Sequence, residues 1–328
     1  MRFKRFFLLL TAAIVLVSVF SCKKKEGNKP SWEYFKGKLE FSIPPYVLTG
    51  ETYIMKPSGV YRKDKGDFGY FWTLPPVKPK QDTVKKEGAA GTGEYKFVVP
   101  DALSTLTISC TAFAKGYYNS TAKHTVKIVD PEKSIKWAGS ESQNVEIDPR
   151  DNKKLSYVAV GEKKWMSKNL AFEGAGLPFE QSNAMKDVFG YYYTYNQAVA
   201  ACPAGWRLPS VSDFEALCAS TGTEGFKGAA GSLMADAYFN EEKMWEFWPD
   251  VKITNKTGFS AIPTGYASLR SDGADFKGNN NYAAFWTSDE LAEEGKGVFV
   301  YLYVDKKDLM KGQADKDSFA VSVRCIKD

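Results

Sequence analysis

One run of residues decides how the second half of this chain folds: Cys202-Pro203-Ala204-Gly205-Trp206-Arg207-Leu208-Pro209. Upstream of it, apolar residues recur at the spacing of one helix face, at Tyr195, Ala198, Val199 and Cys202. The proline and glycine of the run end that helix, and the Trp-Arg-Leu that follows indicates a short extended piece. The run therefore marks a junction between a helix and a strand.

A second helix is predicted directly after this junction. Ser210 can cap it, with Asp213 three residues later supplying the carboxylate of a capping box. Phe214, Leu217 and Cys218 would form its buried face. Around the two helices, short apolar runs predict strands at residues 156–160, 164–166, 258–261, 283–287, 298–304 and 319–326.

Five motifs in fixed order carry a family resemblance: Trp165-Met166-Ser167-Lys168-Asn169-Leu170, the run at 202–209, Gly258-Phe259-Ser260-Ala261, Phe285-Trp286-Thr287-Ser288 and Ser322-Val323-Arg324-Cys325-Ile326. With them, residues 145–328 closely resemble the Fibrobacter succinogenes major paralogous domain, a family of extracytoplasmic bacterial domains. That family is in turn similar to the C-type-lectin-like fold. The resemblance implies an α+β domain with two helices, an irregular middle and a closing strand that bears a cysteine.

Most residues of these motifs are predicted to be architectural. Trp165, Trp206 and Trp286 are large apolar residues in or beside strands, so core packing is expected for them. Arg207 and Arg324 are expected to form structural ion pairs, with ligand contact as the alternative.

The cysteines fit this resemblance. Apart from Cys22, four cysteines allow three pairings. We expect a disulfide between Cys202 and Cys325, which by loop entropy would stabilise the fold by about 4–5 kcal/mol, and we expect Cys110 and Cys218 to be free. A bridge between Cys110 and Cys218 is the alternative.

Residues 33–133 have a different pattern. Short apolar and aromatic runs alternate with turn clusters rich in glycine and proline, and no helical period stands out. In Thr105–Phe113, one face collects Leu106, Ile108, Cys110 and Ala112. The pattern is similar to an all-β Ig-like or polycystic-kidney-disease-type sandwich, a fold that commonly serves as a spacer. Residues 134–144 are predicted to link it to the second domain.

The N-terminus is predicted to be a lipoprotein signal. Residues 1–21 begin with Arg2, Lys4 and Arg5, continue with an apolar stretch and end just before Cys22. The apolar stretch would span only about 22 Å as a helix, which is too short to cross a bilayer. Because the sequence before Cys22 resembles a lipobox, this cysteine is the expected lipidation site, residues 22–32 a tether, and the membrane a partner. The expected location is the bacterial outer membrane. The chain could face either the cell surface or the periplasm.

Charge and histidine content narrow the function. The 328 residues carry a formal charge of +5, which falls to +2 when residues 1–21 are removed. Since no basic stripe remains, nucleic acid is not expected as a partner. His124 is the only histidine, and it lies outside residues 145–328. Because the domain that resembles a known family has no histidine, Ser–His–Asp catalysis and His-rich zinc sites are excluded there.

Ligand-binding candidates lie on polar loops of the second domain: Asp272, Asp275, Asn279, Asn280, Asn281, Tyr282, Asp289 and Glu290. Their oxygens could ligate Ca²⁺, and the tyrosine could stack on a sugar. The Glu-Pro-Asn, Gln-Pro-Asp and Trp-Asn-Asp motifs of calcium-dependent lectins are absent from the sequence, so the resemblance does not imply a calcium site. Turn chemistry is the alternative reading of these loops. Trp245, Phe247 and Trp248 would form an exposed aromatic platform or anchor a loop in the core.

These features predict a non-enzymatic, membrane-anchored lipoprotein that presents a lectin-like domain for a glycan or protein ligand on an Ig-like spacer. No cofactor is expected, and Ca²⁺ is the alternative to that expectation. A structural component of the envelope or of a pilus is the first alternative. A carboxylate-dependent glycan hydrolase is the second.

Overall fold

The first part of the computed structural model consists of strands. The structure describes residues 31–74, 84–87, 93–139 and 144–328, so the predicted signal peptide, Cys22 and tether residues 22–30 lie outside it. The described strands of this part are β1 (Glu33–Tyr34), β2 (Lys36–Glu40), β3 (Tyr46–Leu48), β4 (Thr52–Met55), β5 (Ser58–Tyr61), β6 (Gly69–Leu74), β7 (Val84–Glu87), β8 (Tyr95–Val98), β9 (Thr105–Phe113), β10 (Tyr117–Tyr118) and β11 (Ser120–Val129).

A five-stranded sheet in the order β3-β11-β9-β6-β7 lies beside the strand pairs β2–β5 and β4–β8. The predicted alternation in β9 is confirmed, because Leu106, Ile108, Cys110 and Ala112 are all buried. They pack against Trp72 of β6, whose indole N–H donates to the carbonyl of Gly93 at 2.8 Å. This part is all-β in its described residues, as the turn and strand pattern predicts.

The second part is a mixture of strands and short helices. Its described strands are β12 (Ile135–Trp137), β13 (Asn144–Ile147), β14 (Lys154–Val160), β15 (Lys163–Met166), β16 (Leu177–Pro178), β17 (Tyr191–Tyr192), β18 (Ala237–Phe239), β19 (Glu242–Lys243), β20 (Thr264–Arg270), β21 (Gly273–Asn279), β22 (Tyr282–Leu291), β23 (Lys296–Tyr303), β24 (Met310–Asp315), β25 (Phe319–Ala320) and β26 (Ile326–Lys327). Its helices are α1 (Lys186–Phe189), α2 (Tyr195–Ala201), α3 (Val211–Ala219) and α4 (Ala230–Leu233), with 3-10 turns at Phe179–Gln181, Asn183–Met185 and Ala292–Glu294.

Two sheets organise this part. One has the order β13-β14-β15-β26, and the larger one has the order β21-β20-β22-β23-β24, with β25 paired to β20. One face of the larger sheet packs on α3 and α4 through Phe285, Val300 and Leu302. We call this the inner face. On the opposite face, α2 packs on the end of the sheet that carries Trp286, through Tyr195.

Both predicted helices form, with one error in a face. The capping box of α3 is present, since the Ser210 N–H donates to Asp213 at 2.8 Å and the Asp213 N–H donates back to the Ser210 hydroxyl at 3.2 Å. Phe214, Leu217 and Cys218 are buried, as predicted. In α2, however, the expectation that Val199 shares one face with Tyr195 and Ala198 is wrong, because Val199 is 57% exposed while the other two are buried. The buried stripe of this short helix instead comprises Tyr195, Ala198 and Ala201, at positions i, i+3 and i+6.

The predicted strand at 258–261 is also wrong in the main. Only Ala261 forms a bridge, to Met234, and both Gly258 and Ser260 have positive φ angles, of 69° and 56°. The backbone turns here because the carbonyls of residues 259 and 260 both accept hydrogen bonds from Arg324. A buried guanidinium has therefore overridden the local strand pattern.

The interval expected to be a linker contains an ordered strand. β12 pairs with β18 of the second part, and the Asn240 side chain donates to the carbonyl of Ile128 at 2.8 Å. Tyr46 of β3 packs on Phe179 and Phe239, with ring centroids 5.6 and 6.3 Å apart. The two parts therefore share packed side chains rather than a connection alone.

The expected disulfide is confirmed. Cys202 and Cys325 are bonded and join the end of α2 to the residue before β26. Cys110 and Cys218 are free and buried, so the alternative bridge between them is wrong. Burial raises the pKa of each of these thiols to about 12, so both behave as small apolar side chains. In the part of the chain that the structure describes, no helix has the length and apolar character needed to span a bilayer.

Candidate functional site

The arginines and tryptophans of the motifs are architectural. Trp165, Trp206 and Trp286 are buried, as predicted. Arg207 forms the expected ion pairs, with its guanidinium 2.6 Å from a carboxylate oxygen of Asp213 and 2.9 Å from one of Asp328. These contacts join the motif run to the cap of α3 and to the final strand.

The ion pair expected for Arg324 is wrong. This side chain is fully buried, and none of the described carboxylates pairs with it. Its guanidinium donates instead to the carbonyls of Met166, Phe259 and Ser260, at 3.0, 2.6 and 3.0 Å, and to the side-chain oxygen of Asn169 at 2.7 Å. Burial lowers its pKa to about 9, so it remains charged at neutral pH. Arg324 therefore holds the irregular middle segment in place, since its donors face protein carbonyls.

Three of the four acidic candidates are engaged by a cation or by a backbone N–H. Asp272 lies in the exposed turn between β20 and β21, and Asp275 lies within β21, where it pairs with Arg270 at 3.1 Å and Lys277 at 2.9 Å. Asp289 accepts a hydrogen bond of 2.7 Å from the N–H of Val211, at the start of α3, and Glu290 pairs with Lys316. The described residues contain no group of three or more His, Cys, Asp or Glu that could hold a metal ion.

The remaining candidates come together at the opposite end of the β20–β21 hairpin. Asn279 ends β21, and its side-chain oxygen is buried with no hydrogen-bond partner among the described residues. Asn280 occupies the turn with φ of 74°, and its carbonyl accepts from the N–H of Glu246 at 3.0 Å. The turn 279–282 is therefore adjacent to the loop of Trp245 and Trp248, but roughly 20 Å along the strand from Asp272, at about 3.3 Å per residue.

The two tryptophans of that loop have different roles. Trp245 is buried, and its indole N–H donates to the carbonyl of Ala261 at 3.2 Å, so it anchors the loop. Trp248 is 43% exposed, and Phe247 beside it is 81% exposed. Of the aromatic platform that the sequence offers as one interpretation, Phe247 and Trp248 remain exposed and Trp245 does not.

Tyr282 belongs to a larger aromatic surface. Directly opposite residues of β22 and β23 share a face, and these pairs include Tyr282 with Tyr303 and Trp286 with Phe299. The ring of Tyr282 stacks on that of Tyr301 at 5.1 Å and meets that of Tyr266 edge-on at 5.5 Å. We call these four residues the tyrosine face: Tyr266, Tyr282, Tyr301 and Tyr303. They lie on the side of the sheet opposite the inner face, beyond the end of α2.

The tyrosine face has an apolar base and a polar rim. Its base is formed by Phe299 and Phe319, whose centroids are 5.1 Å apart, and the Phe299 ring lies across Gly312 so closely that a Cβ there would be 2.5 Å from a ring carbon. Open depressions of about 480 and 550 Å³ flank the rings of Tyr282 and Tyr303. Their walls also include Asn281, Lys306 and Gln313. This arrangement combines flat rings with a few hydrogen-bonding groups, the composition of a ligand site.

A second concavity is less suited to a ligand. A cleft of about 520 Å³ opens between β12 and the segment after β15. Two of its carboxylates are already paired with cations, Asp148 with Arg150 at 2.7 Å and Asp187 with Lys153 at 2.6 Å. A ligand there would have to displace these pairs, whereas the tyrosine face needs no such exchange.

A comparison with known families supports the motif resemblance. The sequence profile of the Fibrobacter succinogenes major domain matches residues 158–327. The chain belongs to the Fibrobacter succinogenes major domain family. No match is found among curated proteins. The family domain thus contains the disulfide, Arg324 and the whole tyrosine face.

Sequence reasoning finds Tyr282 in the family domain but misses Tyr266, Tyr301 and Tyr303. A signal for two of them is present in β23, where Phe299, Tyr301 and Tyr303 alternate with Val298, Val300 and Leu302. Such a strand is apolar on both faces, so one face must be covered by a second layer or remain open. Tyr266 carries no comparable local signal, since it joins the face only through the pairing of β20 with β22.

Proposed function

We propose that this protein is a lipid-anchored, non-enzymatic envelope protein whose family domain binds a glycan on the tyrosine face. The observation that carries the proposal is the continuous row of tyrosine rings on the uncovered side of the larger sheet. Tyr303 is 36% exposed, and Tyr266, Tyr282 and Tyr301 are half-buried. Rings that the fold leaves uncovered in this way are available to a ligand.

A saccharide suits these rings chemically. The π face of an aromatic ring is electron-rich, and the C–H groups on one side of a pyranose carry partial positive charge. A sugar can therefore stack on Tyr301 or Tyr303 while its hydroxyls reach Asn281, Gln313 and Lys306. Because each stacking contact is weak, several adjacent rings favour a chain of sugars over a single one.

The proposed layout places this domain at the end of an anchored chain. Cys22 would carry the lipid, the all-β first part would be an Ig-like spacer, and the family domain would have a C-type-lectin-like fold. The two helices, the irregular middle and the cysteine before the last strand support that fold assignment. The outer membrane is the proposed location, and the protein would face either the cell surface or the periplasm.

A glycan array tests the proposal. The chain from residue 22 onward carrying Cys22→Ser would be applied, together with Tyr301→Ala and Tyr303→Ala on the same background. We expect binding to a defined set of glycans and a loss of roughly tenfold in affinity for each tyrosine variant. Tyr61→Ala, which truncates an exposed tyrosine of the first part, serves as the matched control and should bind normally.

Failure of the chain to bind any glycan, or equal binding by all four proteins, would overturn the proposal. Binding of a purified envelope protein in place of glycans would assign the tyrosine face to a protein ligand instead. A result of that kind would still require the tyrosine variants to bind less than Tyr61→Ala.

A further inference from the structure

A second exposed aromatic cluster lies where the described chain begins. Trp32, Tyr34 and Tyr118 are 52%, 67% and 47% exposed. The rings of Trp32 and Tyr118 are 5.6 Å apart, and those of Tyr34 and Tyr118 stack at 4.7 Å. We call these three residues the basal aromatic patch.

The fold does not need this patch for its core. β1 pairs with β10, with Tyr34 opposite Tyr118, and the residues that point inward from the same segments are Phe35 and Tyr117. Those two rings pack on each other at 5.2 Å inside the sandwich. The basal aromatic patch is thus the outward counterpart of a buried pair, and it presents three adjacent rings to solvent.

The position of the patch in the chain limits what can cover it. This step rests on the proposed lipidation of Cys22, from which Trp32 is ten residues away. A fully extended chain of that length reaches at most about 35 Å, and a flexible one averages about 17 Å. A lipid anchor at Cys22 would therefore hold the patch close to the headgroups of the bilayer.

The composition around the patch suits a bilayer surface. Tryptophan and tyrosine concentrate at membrane–water interfaces, where the ring is partly buried and the polar atom remains hydrated. Lys36 and Lys115 are exposed next to β1 and β10, and Lys23, Lys24, Lys25 and Lys29 lie in the tether. Lysines near anionic headgroups add to the attraction.

We propose that the basal aromatic patch docks on the bilayer to which the anchor is attached. Trp32, Tyr34 and Tyr118 then lie at headgroup depth, and the first domain stands on the membrane by its β1–β10 end. The anchor supplies proximity, and the patch supplies a fixed contact. The spacer is thereby oriented rather than free to tumble on its tether.

Fluorescence of Trp32 in the lipidated protein tests this docking. The full lipoprotein and its Trp32→Phe variant would be reconstituted in vesicles of phosphatidylethanolamine and phosphatidylglycerol, and the difference between their spectra isolates Trp32. We expect this difference emission to be blue-shifted and to be quenched by brominated lipid. Quenching by aqueous acrylamide alone, at the level seen in the soluble Cys22→Ser chain, would overturn the proposal.

Vesicle sedimentation of the Cys22→Ser chain gives a test that does not depend on the acyl anchor. Replacing Trp32, Tyr34 and Tyr118 by serine should weaken vesicle binding roughly tenfold or more. Phe247→Ser, which removes another highly exposed ring, is the matched control and should bind as the parent does. Equal binding by the triple variant and its parent would contradict a docking role.

The two proposals fail in different ways. Absence of acyl groups on Cys22 by mass spectrometry would remove the proposed anchor, and the sedimentation experiment would still decide whether the patch binds a bilayer. An acylated Cys22 with Trp32 in water would leave the anchor intact and reject the patch. Glycan binding by the family domain is measured on soluble protein and depends on neither result.

Discussion

The two faces of β23 differ in what covers them. On the inner face, Val298, Val300 and Leu302 are buried, and Val300 and Leu302 pack with residues of α3 and α4. On the other face, Phe299 is covered at the end near α2, whereas Tyr301 and Tyr303 emerge beyond it. One strand therefore stabilises the fold with one set of alternate residues and offers the other set to a ligand. Substitutions on the two faces should separate stability from binding.

The largest expected loss of stability comes from the inner side of the larger sheet. Arg324→Met should lower the free energy of unfolding by about 3 kcal/mol or more, because it leaves several buried carbonyls without a donor. Arg324→Lys keeps the charge but not the fork of donors. Its free energy of unfolding should lie between those of Arg324→Met and the parent. Urea denaturation gives the three values. Equal stability of all three proteins would show that the carbonyls find other donors.

The second prediction compares neighbours in β23. Leu302→Ala should lower the free energy of unfolding by about 2–5 kcal/mol, because the cavity that it leaves is in the core. Tyr303→Ala should cost less than about 1 kcal/mol, because its ring is partly in solvent. Conversely, Tyr303→Ala should weaken glycan binding, and Leu302→Ala should not, when binding is measured well below its unfolding temperature. A reversed order in either measurement would break the distinction between the faces.

Acid should also lower the stability of the domain, through Asp213 at the cap of α3. Burial alone would raise the pKa of Asp213, but hydrogen bonds from Arg207, Lys163 and Ser210 outweigh it and hold the pKa well below its usual range. Since the folded-state pKa is depressed, this stability is present above the ordinary aspartate value of about 3.9 and is lost as the pH falls below it. The tyrosine face contributes no carboxylate to this titration.

The matching variant is Asp213→Asn. It should be less stable than the parent by roughly 1–3 kcal/mol at neutral pH, and the difference should shrink as the pH is lowered toward the folded-state pKa. Thermal melts across the acid range measure it. A constant difference at every pH would mean that the carboxylate charge is not what stabilises the cap of α3.

The smallest expected effect concerns calcium. Asp275, Asp289 and Glu290 are each held by a cation or a backbone N–H, so binding of Ca²⁺ would have to break those contacts. We expect equal melting temperatures with calcium and with a chelator. An increase with calcium would place a metal site at the polar loops and would shift attention from the tyrosine face to them.

What could be predicted from the sequence was local. The capping box at Ser210 and the alternation in Thr105–Phe113 are written in adjacent residues, and the structure has both. The pairing of Cys202 with Cys325 followed from the motif order of the family. Val199 was misplaced because a helix of seven residues leaves little room to distinguish one face from the next.

What could not be predicted depends on register and on distant partners. The tyrosine face combines residues from three strands, and only the pairing of those strands places the rings side by side. The backbone at 258–261 turns because Arg324, more than sixty residues later, requires its carbonyls. The acidic candidates resembled ligand loops, but Asp275 lies in a strand and Asp289 accepts a hydrogen bond from the start of α3.

One measurement addresses the tyrosine face directly. Selective isotope labelling of the tyrosine rings would allow the signal of each ring to be followed by NMR. A saccharide that binds on the glycan array would be titrated into the soluble chain. We expect the ring signals of Tyr282, Tyr301 and Tyr303 to shift together and saturably, and the signal of Tyr34 in the first part to stay unchanged. Shifts confined to the rest of the molecule, with the tyrosine face unperturbed at saturation, would contradict it.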